Sequence, residues 1–316
     1  MSATAVVFAY HDVGARCLSV LLERGVAVPL VVTHRDDPGE NVWFASVEAL
    51  ARREGLAVET PDDPNSEAFV ARLRALAPDF LFSFYYRRML SPAILATARR
   101  GAFNMHGSLL PKYRGRAPVN WAVLHGERET GATLHEMVAK PDAGGIVDQQ
   151  GFAIGDNDLA AEVFARVTDA AEQVLARALP GILDGTARPR AQDLARGSYF
   201  GARRPEDGRI DWTRPARQVH DLIRAVAPPY PGAITRWNGA PARILRSWWA
   251  EPAPGLPAEG APGTVAVKDG RTHVRCGDGR WLAIRAAELA PGEVLAEAEL
   301  AARFAAARPP VGQFGP

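Results

Sequence analysis

The sequence is poor in cysteine: Cys17 and Cys276 are the only two in 316 residues. They belong to no CxxC or Cys/His spacing, which speaks against a structural metal site, and two free thiols are a simpler reading than one disulfide. The chain also lacks an excess of one charge, with 37 Lys+Arg against 36 Asp+Glu and a net +1. Proteins that wrap nucleic acid carry a basic surplus or stripe. No stretch approaches the roughly 20 apolar residues that span a bilayer. The opening MSATAVVFAYHD has neither the basic start nor the long apolar core of a secretory leader. A cytoplasmic protein with no membrane insertion is expected. G-x-G-x-x-G is missing too: the first apolar run, AVVFA, is followed by YHDVG, which disfavours a dinucleotide enzyme. The seven histidines show no ligand spacing, so no metal is expected.

What is present is a globular composition, 47% apolar and 23% charged, on a chain long enough for two domains. In the first half, buried-strand runs at 5–9, 28–32, 80–85 and 102–106 alternate with helical patterns at 15–24, 43–54 and 69–76. That alternation implies a mainly parallel sheet with helices on both faces, and ligands at the carboxyl ends of its strands. A long amphipathic helix is expected over 157–183, with Asp156 or Asn157 as its cap. The texture then changes. Residues 189–209 are polar and read as a linker between a catalytic domain (1–188) and a β-rich domain (210–316). In the latter, short strand-like runs close on Asn238-Gly239, Asp269-Gly270 and Gly277-Asp278-Gly279, which suggests a small barrel or sandwich. Residues 251–263, rich in Pro, Gly and Ala, read as a loop.

The chemistry-bearing region is 101–149. Asn104 and His106 are two apart and so share a face of an extended segment. Asp142 follows Pro141 and precedes Ala-Gly-Gly. Acyl transfer to an amine needs a donor for the developing oxyanion and a group that takes the amine's proton. An amide, an imidazole and a carboxylate supply those parts. Singly, each also has a structural reading, as a strand-end His, a turn Asn or a P-D-A-G-G turn, and spacing alone leaves both readings open.

The string FNMHGSLLPKYRGRAP, with KPDAGGIV beginning 22 residues after its end, resembles the signature of folate-dependent formyltransferases. Further stretches, VVFAYHDVG, THRDDPGENVW, DFLFSFYYRRML, FGARRPEDGRIDW and RAVAPPYPGA, resemble the branch that formylates UDP-4-amino-4-deoxy-L-arabinose in lipid A modification and polymyxin resistance. The likeness runs from about Val6 to at least Gly279. It implies a Rossmann-like catalytic domain followed by a small, OB-like C-terminal barrel. It implies 10-formyltetrahydrofolate as co-substrate. Asn104 would donate to the formyl oxygen, His106 would be the acid/base, and Asp142 would orient His106 or a bound water and assist proton movement. Arg88, Met89, Leu90, Arg116, Val138, Ala139, Lys140 and Pro141 match folate contacts. Pro141 departs from the residue usual in that branch.

The family's acceptors include nucleotide-linked amino sugars and methionyl-tRNA. Residues 201–316 hold 16 Lys+Arg against 12 Asp+Glu, and Lys268 is their only lysine. That is weak support for binding RNA. The FGARRPED run and the form YRGR of residues 113–116 resemble the sugar enzymes, so a small-molecule nucleotide sugar is the expected partner. The tRNA acceptor, a dTDP-4-amino sugar and a non-catalytic binding protein are the alternatives. Arg203 and Arg204 are candidates for the sugar's diphosphate. No G-x-x-G-x-x-G segment is present in the C-terminal half, so the formyltransferase is expected to be free-standing.

Overall fold

A computed structural model describes residues 2–250, 255–306 and 313–315. Their contacts form two units: Met1–Pro118, Glu129–Phe152 and Phe164–Gly201 make the first, and Val119–Arg128, Ala153–Val163 and Ala202–Pro316 the second.

The chain opens as β1 (Thr4–Ala9), α1 (His11–Glu23), β2 (Ala27–Val32), α2 (Val47–Arg53), β3 (Val58–Glu59), α3 (Glu67–Leu76), β4 (Phe80–Phe84), α4 (Pro92–Leu95), β5 (Gly101–His106) and β6 (Arg114–Gly115). It continues as α5 (Pro118–Leu124), β7 (Glu129–Glu136), β8 (Ile146–Ala153), α6 (Ala160–Asp184) and β9 (Tyr199–Phe200). The first unit is built on a seven-stranded sheet in the order β3-β2-β1-β4-β5-β7-β8. Its first five members are parallel, and β7 runs antiparallel to β5. Strands β1 and β4 are continuous apolar runs because a Rossmann-like sheet is covered on both faces. Val6 and Phe8 of β1 pack with Phe69, Val70 and Leu73 of α3 on one face. Val7 alternates to the other, where α1 lies against β1 and β4.

Local chemistry sets the helix ends. Ser46 Oγ accepts from the Ala49 N–H and Ser66 Oγ from the Phe69 N–H, capping α2 and α3. The helix expected from Trp43 therefore starts at Val47, and Trp43 and Phe44 pack on His11 instead. Helix α6 starts at Ala160. Neither Asp156 nor Asn157 caps it: Asp156 pairs with Arg217, and the Asn157 amide bonds both the N–H and the carbonyl of Trp249.

The second unit adds α7 (Ala216–Val226), β10 (Ala233–Trp237), β11 (Ala240–Trp248), β12 (Val265–Lys268), β13 (Arg271–Arg275), β14 (Trp281–Glu288), β15 (Val294–Ala296), α8 (Glu297–Ala305) and β16 (Phe314–Gly315). The antiparallel sheet runs β12-β13-β14-β11-β10-β16, with β15 beside β14. Both two-residue hairpin loops have left-handed backbones, at Asn238-Gly239 and Asp269-Gly270, the geometry that matches strand twist. The two ends of the sheet meet at a single bridge, Thr264 to Gln313, so the expected barrel is a curved sheet joined at one point, with no closing ladder among the described residues. Its core holds Trp212, Ile223, Ile244, Ile284, Phe304 and Phe314. Helix α7, in a region read as short strands, supplies Val219, Ile223 and Val226 at helical spacing. The loop expected at 251–263 lies partly outside the described residues.

Candidate active site

Strand β5 ends the run of parallel strands, and its neighbour β7 pairs with it so that Asn104 stands opposite His135 and His106 opposite Thr133. Directly opposed side chains share a face. Asn104 and His106 alternate onto that face, and His135 joins them. Its Nε2 lies 3.1 Å from Asn104 Nδ2. His135 Nδ1 lies 2.8 Å from the Glu136 carbonyl. A carbonyl only accepts, so Nδ1 carries the hydrogen, Nε2 is a lone pair, and the Asn104 amide donates to it. One amide hydrogen of Asn104 is thereby used, and its orientation fixed; the second remains for another acceptor.

The tautomer of His106 is set in the same way. Its Nε2 lies 2.7 Å from the Tyr113 carbonyl and so donates to it. The basic Nδ1 then faces Asp142 Oδ1 at 3.7 Å, and His135 Nε2 lies 3.5 Å from the same oxygen. Asp142 sits in the left-handed region at φ 51°, and the Gly115 N–H donates to its Oδ2 at 2.8 Å. Burial acts to raise this carboxyl. The imidazoles of His106 and His135, when either carries a proton toward it, and the Gly115 N–H outweigh burial and hold Asp142 well below the usual carboxylate range. Thr133 completes the setting, donating to the Ser108 carbonyl and accepting from the Leu110 N–H. The arrangement offers an oriented donor, a basic nitrogen and an anion that stabilises its protonated form.

The three residues expected to carry chemistry are thus brought together, with a fourth, His135, that sequence spacing did not single out. The signal was present in ETGATLHE, where Thr133 and His135 alternate with buried Ala132 and Leu134.

The folate candidates are placed more loosely. After β4, Met89 is 59% exposed while Leu90 turns into the core. Asn65 holds this segment, donating to the Met89 carbonyl and accepting from the Ser91 N–H. Arg88 and Arg116 both lie close to His34. Burial, then Arg87, Arg88 and Arg116, pull that imidazole down to about 4. Val138, Ala139 and Lys140 are exposed and Pro141 half-buried on the approach to Asp142. Arg203 and Arg204 belong to the second unit. There the Arg203 guanidinium lies 4.8 Å over Trp121 and donates to the Asp207 carbonyl, while Arg204 bonds Asp207 through its backbone and is exposed.

The sequence matches the formyl transferase family model over residues 15–179 and the formyl transferase C-terminal domain over 203–305. The chain belongs to the formyl transferase family. Among solved structures, the chain is similar to an N-formyltransferase from Helicobacter canadensis in complex with folinic acid and dTDP-3-aminofucose. The TM-score is 0.71 at 21% identity, over 90% of this chain and 99% of that one. It is also similar to WlaRD, a sugar 3N-formyl transferase determined with dTDP and 5-N-formyl-THF, at a TM-score of 0.69 and 20% identity over 90% and 97% of the two chains. HypX from Aquifex aeolicus, in complex with tetrahydrofolic acid, gives 0.62 at 21% identity over 94% of this chain and 46% of that one. Among the described residues, no helix is long and apolar enough to cross a membrane.

Proposed function

We propose that this formyltransferase moves a formyl group from 10-formyltetrahydrofolate to the amine of a nucleotide-linked amino sugar, with UDP-4-amino-4-deoxy-L-arabinose the first acceptor to test. The observation that carries the reading is the convergence of Asn104, His106 and Asp142 on β5 and the loop after β7, each fixed by a partner. The folate supplies the activated formyl group. Residues that fit it are the exposed apolar side chains of Met89 and Val138 and the exposed guanidiniums of Arg88 and Arg116, for which no carboxylate partner exists among the described residues. They suit an aromatic ring system with an anionic tail.

The protein's part is position and proton transfer. The second amide hydrogen of Asn104 donates to the formyl oxygen as it gains negative charge. The amine attacks neutral, and the new C–N bond forms as the bond to the folate nitrogen breaks. His106 takes the amine's proton at Nδ1 and returns it to the leaving nitrogen, so the imidazole ends as it began. Asp142 stabilises the imidazolium in between.

The test is turnover of the purified protein with 10-formyltetrahydrofolate and a panel of amines: UDP-4-amino-4-deoxy-L-arabinose, dTDP-linked 3- and 4-amino sugars, and methionyl-tRNA. Mass-detected formylation of a nucleotide sugar supports the reading. Activity confined to the tRNA overturns the acceptor, and transfer to no amine overturns the enzyme.

A further inference from the structure

Residues 190–200 have the composition of a linker but bond with the catalytic loops of their own unit. The segment starts at a bridge in which Arg190 and Ile146 exchange both backbone hydrogen bonds at 2.8 Å. Two residues on, Gln192 Nε2 donates to the carbonyl of Asp142 at 3.0 Å and to that of Gly144 at 2.7 Å. Both acceptors are carbonyls, so the amide can point only one way. Its Oε1 is left buried with no partner among the described residues. A polar atom left in that state is uncommon and calls for a compensating role. Farther along, Ser198 Oγ accepts from the Tyr113 N–H at 2.8 Å and its carbonyl from the Arg114 N–H at 3.0 Å. The Phe200 carbonyl accepts from the Arg116 N–H at 2.9 Å, and its ring stacks on Tyr113 at 5.3 Å.

The fit is close enough to require glycine on both sides. A Cβ on Gly115 would collide with the Phe200 carbonyl oxygen, and Gly115 is left-handed at φ 99°; a Cβ on Gly197 would strike the Pro111 carbonyl. The loop so held is the one that aims the Tyr113 carbonyl at His106 and the Gly115 N–H at Asp142. Tyr113 itself is left-handed at φ 57°, a conformation that persists in a bulky residue only where its surroundings impose it.

We propose that residues 190–200 are a positioning strap. In it, Ser198 and Phe200 set the Tyr113–Gly115 loop that fixes His106 and Asp142 from one side, and Gln192 fixes the Asp142 loop from the other. The strap residues touch no reacting atom; they act through Tyr113, Gly115 and the Asp142 backbone. This inference rests on the formyl-transfer reading for its catalytic consequence, but its geometric content does not.

The test uses the full chain with Gln192→Leu, Gln192→Asn, Ser198→Ala and Ser198→Thr. Nitrogen-15 spectra of the His106 ring, recorded without substrate, report its tautomer; kcat and KM are measured alongside. A single Nε2–H tautomer is expected in the parent protein and in Ser198→Thr, which keeps the hydroxyl. Ser198→Ala and both Gln192 variants should lose it or mix it. Their kcat should fall on the order of 10-fold, the scale of one misplaced hydrogen bond, with KM within about twofold. An unchanged tautomer and unchanged kcat in Ser198→Ala and Gln192→Asn overturn the strap. A parent protein without formyl transfer, but with the tautomer response intact, removes the formyl reading and leaves the strap standing.

Discussion

The Asn104 amide donates to His135 Nε2 across the β5–β7 ladder, 3.1 Å away. The bond is possible because His135 gives its Nδ1 hydrogen to its neighbour's carbonyl. A buried imidazole thus acts as a fixed acceptor that orients the amide, and in the proposed transfer it would aim the second amide hydrogen at the formyl oxygen. Replacing Asn104 with Ala should lower kcat by about 10²- to 10³-fold, the usual loss for one oxyanion donor. His135→Leu should cost on the order of 10-fold through misorientation. His135→Gln, which keeps an acceptor, should cost less. Steady-state kinetics on the three variants check the order, and a His135→Leu variant with parental kcat would show that Asn104 orients itself.

Removing the proposed proton carrier should be more severe. His106→Ala is expected to lower kcat by about 10²- to 10⁴-fold, the range for a general acid–base group. Added imidazole should recover part of the loss. Recovery by imidazole in His106→Ala but not in Asn104→Ala would separate proton transfer from oxyanion binding.

The nucleotide-sugar contacts proposed at Arg203 and Arg204 have become distinguishable. Arg203 lies against Trp121 and is bonded to Asp207, whereas the Arg204 side chain is exposed. Arg204→Ala alone should therefore raise the KM for the nucleotide sugar while kcat holds. Arg203→Ala should also lower the melting midpoint. A parental KM in the double variant removes both residues from the substrate site.

Acid should weaken the second unit. His220 is fully buried, with Nε2 on the Asp156 carbonyl and Nδ1 on the Ser247 hydroxyl. Burial is the main cause that pulls it down to about 4. The folded value lies below the unfolded one, near 6.5, so this contribution to stability is complete above pH about 6.5. It falls as the pH drops toward 4, because the unfolded chain takes the proton first. Between pH 7 and pH 5 the loss should be about 2 kcal/mol in urea titrations. His34 of the first unit, also pulled down to about 4, gives that unit a fall of the same sign. His220→Gln should show a shallower fall.

A buried ion pair gives the largest stability effect. Arg224 is 1% exposed and Asp221 4%, with Arg224 Nε donating to Oδ1 at 2.7 Å. Asp221→Leu leaves the Arg224 charge buried without its carboxylate and should destabilise by about 3–5 kcal/mol, whereas Arg224→Met should cost less because Arg217 still pairs with Asp221. The double variant Asp221→Leu with Arg224→Met should regain much of it, since Arg217 keeps its pairing with Asp156. Chemical denaturation of the single and double variants decides.

The parts legible in the sequence were those where burial and hydrophobicity coincide. Strands β1, β2 and β4 are apolar because helices cover them, β5 keeps buried Phe103 and Met105 alternating with its polar residues, and Asn238-Gly239 and Asp269-Gly270 announce their hairpins by backbone preference alone. Other parts were hidden where polar residues do structural work. Strand β7 carries Thr130, Thr133 and His135 as buried residues, so it does not look like a core strand. Without it His135 had no reason to stand beside Asn104. Helix α7 was obscured in the same way, since His220, Asp221 and Arg224 are buried through pairing. Residues 190–200 looked like a linker because the groups they bond are backbone atoms, which leave no pattern in side chains.

The interleaving of the two units limits how the chain can be cut and recombined. Val119–Arg128 and Ala153–Val163 come early in the chain yet share a unit with Ala202–Pro316. Asn120 donates to the Ala225 carbonyl, Asp156 accepts from His220, and Asn157 clasps Trp249. A graft at the boundary between the two family segments would strand those three partnerships on the wrong side of the splice. Exchanging the C-terminal half with that of a relative is therefore a three-fragment operation, and a hybrid made at one junction inherits mismatched halves of each pair.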